Sequence, residues 1–180
     1  IRCGCTSVMR DASPLPLEEN ISVLKNVVHF AHDIGVDVEG ELGCIGAAKD
    51  GVSTEYTKVD DAVRYCQETG VDALAVAVGT AHGHYKQAPI LAIERIRQLY
   101  AALPAALVLH GGSGIPDDQI QEAIRAGIRK VNFGTDVCYA FLDQVRKTSE
   151  SIIAVDLFMK EPIEAVKRFA LEKIKLLHAE

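Results

Sequence analysis

Apolar and polar positions alternate along this chain between a strand-like and a helix-like pattern. Two unbroken apolar runs, Ala73 to Val78 and Ala105 to Leu109, fit strands buried on both faces, as parallel strands are. Between them Ile93, Ile96, Leu99 and Leu103 recur at helical spacing, so this part reads strand, helix, strand with a right-handed crossover. Upstream, Thr6 to Met9 is a short β-rich run, and Pro14 and Pro16 open a long amphipathic helix with its stripe on Leu17, Ile21, Leu24, Val27, Val28, Ala31 and Ile34. Gly35 closes that helix, and Val36 to Leu42 forms the next strand. A polar loop from Gly46 to Lys58 leads to a helix through Ala62, Val63 and Cys66 that ends at Gly70. Downstream, Pro116 and two aspartates start a helix through Ile120 and Ile124, and Lys130 to Phe133 reads as a fifth strand. Thr135 is a candidate N-cap for the next helix, and Pro162 starts a last one through Val166, Phe169 and Ile174 to His178.

Five strands alternating with helices predict one α/β domain over residues 1–180, with no linker inside it. A closed TIM barrel, (β/α)8, takes about 250 residues, so these units match roughly the C-terminal five of its eight. A doubly wound open sheet is the alternative, but the glycine fingerprint it wants after the first strand is missing.

Composition narrows the class. Of the residues 48% are hydrophobic, yet no run approaches the ~20 apolar residues of a membrane span, so no membrane partner is expected. A net charge of −6 argues against a broad nucleic-acid surface, while glycine turns and one lysine suffice for a small anion. Five cysteines, an odd number without paired spacing, point to reduced thiols and a cytoplasmic setting. Cys3-Gly4-Cys5 reads as small residues at a strand entrance rather than as a redox pair. No targeting segment is visible, and the chain opens in mid-pattern on Ile1.

Chemistry concentrates where the two apolar runs end, in Gly79-Thr80-Ala81-His82-Gly83-His84-Tyr85-Lys86 and in Leu109-His110-Gly111-Gly112-Ser113-Gly114. Adjacent parallel strands bring His82 and His110 to one rim, where two imidazoles can share a metal ion and the glycine turns can turn N–H groups onto an anion. A lone histidine at a strand end is ordinarily a hydrogen-bonded core residue; two in matching turns favour the metal. Glu39 and Glu41 lie near the end of their strand, Glu41 facing the same rim as the histidines, whereas His29 and His32 read as surface residues on the first helix.

Six blocks now become specific: Gly4 to Asp11, Leu15 to Asn20, Val38 to Gly43, Gly79 to Gly83, His110 to Gly114 and Lys130 to Thr135. In order and over nearly the whole chain they resemble the zinc-dependent class II ketose-bisphosphate aldolases, which split fructose or tagatose 1,6-bisphosphate into dihydroxyacetone phosphate and an aldehyde. The resemblance implies a zinc cofactor, with a monovalent cation as a further candidate, and makes His82 and His110 two of three zinc ligands. It also implies that Gly83, Gly111, Gly112, Ser113, Asn132, Phe133, Gly134 and Thr135 surround the triose phosphate, with Lys86 adding a charge. Asp11 and Glu41 match ligands of a second or alternative zinc site; backbone satisfaction, or contact with a histidine ring, is the other reading of each. A sugar phosphate as partner and a homo-oligomer, dimer or tetramer, are likewise implied.

Three departures accompany the resemblance. The family's first barrel units, with an Asp-His pair that supplies the proton-abstracting carboxylate and the third zinc histidine, have no counterpart, so the sequence is expected to be partial at its N-terminus. Ala48 and Lys49 stand where relatives carry an acidic pair, and Pro14 where they often carry histidine. A metal-free isomerase or synthase on the same barrel, and a non-catalytic aldolase-like subunit, therefore remain as alternatives.

Overall fold

Strand and helix alternate from the first element onward in a computed structural model that describes residues 1, 3–43, 55–83, 85 and 88–178. The order is β1 (Ser7–Arg10), α1 (Leu17–His32), β2 (Asp37–Leu42), α2 (Val59–Thr69), β3 (Ala73–Val76), α3 (Ile93–Ala102), β4 (Ala106–Leu109), α4 (Asp117–Ala126), β5 (Ile128–Val131), α5 (Thr135–Lys147) and α6 (Val155–Leu176). All four strand pairings are parallel and the sheet order is β1-β2-β3-β4-β5. Sequential winding of this kind is an arc of the (β/α)8 barrel; a doubly wound sheet would reverse direction partway.

Side-chain alternation divides the sheet into two faces. Val38, Leu74, Val76, Leu107, Leu109 and Ile128 join one buried cluster with Leu24, Tyr65, Ile96, Leu99 and Ile120 of the helices. Their neighbours Met9, Glu39, Glu41, Ala75 and Val108 consequently face the inside of the arc. Ala75 and Val108 are small and fully buried there, which leaves room for the two glutamates beside them. A register shift lies between β4 and β5, where Leu107 pairs with Ile128 but Val108 pairs with Lys130. The extra residue, Arg129, re-aims the strand so that Lys130 points inward beside Val108 instead of outward with Leu109.

Several boundaries differ from the sequence reading. β5 begins two residues earlier than Lys130, and β3 ends at Val76 because Thr57 N–H and Ala92 N–H take the carbonyls of Ala77 and Val78. α6 begins at Val155, and Pro162 lies inside it. Its ladder already starts with Phe158 N–H donating to Ala154 O at 2.9 Å, so the proline removes only the bond its own missing N–H would have made to Phe158. Thr135 is the first residue of α5, and Gly134 precedes it as N-cap without a side-chain cap.

Candidate active site

A cleft of about 380 Å³ opens at the carboxyl ends of the strands, lined by Met9, Asp11, Glu41, His82, Gly83, His110, Gly111, Ser113, Asn132, Gly134 and Thr135. His110 follows Val108 by two residues and so shares its inward face. It is buried between two carboxylates, with Nε2 2.9 Å from Glu39 Oε1 and Nδ1 3.0 Å from Glu41 Oε2. The other Glu39 oxygen accepts from Lys130 Nζ at 2.7 Å. Burial opposes the imidazolium, yet the hydrogen bonds it donates to Glu39 and Glu41 outweigh it and raise His110 to about 9. Burial also opposes the Glu39 carboxylate, and contacts with His110 and Lys130 overcome it and lower its pKa.

Glu41 is held from behind. Asn20 of α1 donates to its carbonyl at 2.9 Å, and Tyr65 of α2 donates to Asn20 Oδ1 at 3.0 Å. Gly40, between the two glutamates, faces that tyrosine; a β-carbon there would lie 2.6 Å from the Tyr65 hydroxyl. The glycine is thus dictated by the close approach of α2, not by a turn. Ser13 Oγ reaches Glu41 Oε1 at 3.5 Å, while Asp11 is exposed at the rim and accepts from Ser13 N–H at 2.9 Å. Each carboxylate thus makes the contact of its second reading, Glu41 to a histidine ring and Asp11 to a backbone N–H.

His82 is exposed, with its ring centroid 5.9 Å from that of His110 and the planes at 38°. The opposite wall is made by the turn after β4 and the start of α5. Buried Ser113 accepts from Asp136 N–H at 3.1 Å, and Asp136 Oδ2 accepts from Gly114 N–H at 3.1 Å. Gly134 and Thr135 line the cleft at the start of α5, whose first-turn N–H groups have no acceptor within the helix; Asp136 N–H is the one that Ser113 takes. Gly83, at φ +111°, has open space where a side chain would stand. Gly112 and Phe133 lie behind the wall rather than on it: Gly112 donates to Asn132 O at 3.0 Å, and a β-carbon on it would crowd Val131 at 2.7 Å. Lys86 and the Ala48-Lys49 pair lie outside the described residues.

The donor chemistry fits the zinc ion implied by the fold family. Two imidazoles at this separation are within reach of a shared ion with bonds of about 2.0–2.1 Å, and Glu41 is the carboxylate such a ring ordinarily leans on. One of the two glutamates would have to release its His110 nitrogen. Among the described residues no three of His, Cys, Asp and Glu gather closely enough to hold a metal, so a further ligand is needed beyond the pair. Sequence reasoning gave no role to Lys130, Asn20 or Tyr85. For Lys130 the only signal was its place two residues before Asn132; the bulge that turns it inward leaves no trace in composition.

A model of the family described as class-II fructose-bisphosphate aldolase matches residues 1–180. The 6-phospho-5-dehydro-2-deoxy-D-gluconate aldolase of Shouchella clausii is 41% identical over 97% of this chain and 61% of its own length. The fructose-bisphosphate aldolase of Streptococcus pneumoniae is 40% identical over 99% of this chain and 62% of its own. The crystal structure of the YdjI aldolase from Escherichia coli K12 superposes with a TM-score of 0.86 at 41% identity, covering 97% of this chain and 61% of that one. The chain therefore spans about three-fifths of the length of these relatives.

Proposed function

The chain belongs to the class II fructose-bisphosphate aldolase family, and on that footing we propose that it supplies the metal and phosphate side of a site for aldol cleavage and condensation of a ketose 1,6-bisphosphate. The products are dihydroxyacetone phosphate and an aldehyde phosphate. One observation carries this reading: an exposed and a buried imidazole 5.9 Å apart face a cleft whose far wall is a helix N-terminus.

His82 and His110 hold zinc, which supplies Lewis acidity toward the ketone oxygen of the substrate. Glu39, braced by Lys130, and Glu41, braced by Asn20, flank the His110 ring, so that one keeps it oriented while the other gives up its nitrogen to the ion. The phosphate is received by the Gly83, Gly111 and Ser113 turns and the start of α5, with Asn132 beside it; the charge of Lys86 is what the resemblance adds. On the family's pattern the proton-abstracting carboxylate and the third metal histidine belong to barrel units with no counterpart among these 180 residues. The relatives' names share a phosphorylated keto sugar and differ at the other end, so the fructose or tagatose type is the finer part of this proposal. Four described cysteines are free thiols, in keeping with a cytoplasmic setting.

The test uses the intact protein with zinc, offered fructose 1,6-bisphosphate, tagatose 1,6-bisphosphate and 6-phospho-5-dehydro-2-deoxygluconate in turn. Release of triose phosphate from one of the bisphosphates, abolished by EDTA and restored by zinc, is the expected result. A rate indifferent to chelator rejects the metal, and turnover of the gluconate derivative alone rejects the substrate class. No turnover with any of the three leaves the non-catalytic reading standing.

A further inference from the structure

Tyr85 is half-buried, and its ring packs at the edge of the core, but its hydroxyl is spent elsewhere. The oxygen lies 2.7 Å from both the N–H and the carbonyl of Ala81, and 3.0 Å from the carbonyl of Gly111. One phenol accepts once here and has a single proton, shared between the two carbonyls. Ala81 directly precedes His82, and Gly111 directly follows His110. A single hydroxyl therefore joins the backbone next to one imidazole to the backbone next to the other. Glycine is required on the second turn: a β-carbon on Gly111, which sits at φ +68°, would overlap the Ala81 carbonyl, and one on Gly114 would stand 3.2 Å from the tyrosine ring.

We propose that Tyr85 is a positioning residue whose hydroxyl fixes the separation of His82 and His110, and so the affinity and geometry with which one divalent cation is shared between them. This rests on the zinc reading above. His110 has Glu39 and Glu41 on either side, one of which still orients it once the other yields its nitrogen, whereas among the described residues the exposed His82 side chain meets only the His110 ring. Its placement falls to the backbone, and Tyr85 ties that backbone to the fixed ring. A purely structural tyrosine would need no bond on both sides of the pair.

The experiment measures zinc binding by competition with a chromophoric chelator, together with the d–d spectrum of the cobalt(II) form, for the intact wild type and Tyr85→Phe. Asp72→Asn serves as control, because Asp72 accepts from Val38 N–H and pairs with His32 at the opposite end of the sheet. Expected are about tenfold weaker zinc binding and an altered cobalt spectrum in Tyr85→Phe, with neither change in Asp72→Asn at a comparable loss of Tm. Unchanged affinity and spectrum in Tyr85→Phe, or equal effects in both variants, overturn the proposal alone. A wild type that binds no stoichiometric zinc overturns the metal reading and this inference with it. Should Tyr85→Phe not fold, exchange of the Ala81 amide in the wild type decides: slowing on zinc addition supports the tie, and equal rates with and without zinc refute it.

Discussion

His110 is the residue on which most of the site's electrostatics converge. Its unfolded value of 6.5 rises to about 9 in the fold, so the imidazolium stabilises the protein fully below pH 6.5 and loses that contribution as pH climbs through about 9. Glu39 shifts the other way, lowered by His110 and Lys130 against its own burial, and its contribution is present above the ordinary carboxylate range and lost as acid protonates it. Stability of the chelator-treated intact protein should therefore pass through a plateau near neutrality. On the alkaline side the expected loss is on the order of 2 kcal/mol between pH 6.5 and 10. Chemical denaturation along that range checks it, with His110→Gln as reference, since cysteine, tyrosine and lysine titrations persist in the variant and only the His110 slope disappears. Equal slopes in both proteins would mean that the carboxylates do not hold a proton on the ring. The sequence showed this residue and its rim plainly, because apolar runs locate strand ends. It could not show that Glu39 and Glu41 straddle one ring, because two carboxylates spaced by two on a strand share a face whether or not anything stands across from them.

At the scale of elements, legibility followed periodicity. β3, β4 and the helix between them were readable to within two residues, as continuous apolar runs and a 3.6-residue stripe leave little choice. Three features were not. The start of α6 was read from Pro162, since proline favours first turns, yet a helix of 22 residues tolerates the loss of one bond inside it. The shift in β5 depends on which of Arg129 and Lys130 finds a partner inside the arc, and only the Glu39 carboxylate three strands away answers that. The start of α5 makes a sharper point. Thr135 looked like its cap, but the side chain that receives a first-turn N–H is Ser113, from the turn after β4. Ser113 thereby ties the start of α5 to the turn after β4, and on the proposed function its own proton is left for the phosphate. Ser113→Ala in the intact protein should raise KM for the phosphorylated substrate about tenfold with kcat changed little, while Thr135→Val, which touches no helix N–H, should do less. A kcat loss at constant KM would place Ser113 in the chemical step instead of the phosphate wall.

For the molecule as a whole, the sheet is an arc with two unpaired edges among the described residues. β1 pairs only with β2, and β5 only with β4. An unpaired parallel edge is a row of unused N–H and C=O groups and templates association. The inner face adds to this, with Met9 41% exposed, and so does the stretch into α6, where Ile153 just before the helix and Val155 and Leu157 in its first turn are 91%, 73% and 59% exposed. Apolar surface of this extent is what soluble proteins normally cover. The net charge of −6 opposes association but spreads over the outer surface, where Glu18 of α1, Glu68 of α2 and Asp72 just before β3 are each paired with a basic side chain, and not along the edges. Residues 1–180 studied by themselves should thus self-associate with rising concentration and bind a hydrophobic dye. Raising the salt should strengthen both, because it screens the repulsion and leaves the apolar contact intact. Sedimentation and dye fluorescence from micromolar concentration upward measure this. A sharp monomer without dye binding at every salt concentration would mean that edges and inner face are covered from within the 180 residues and would overturn the open arc.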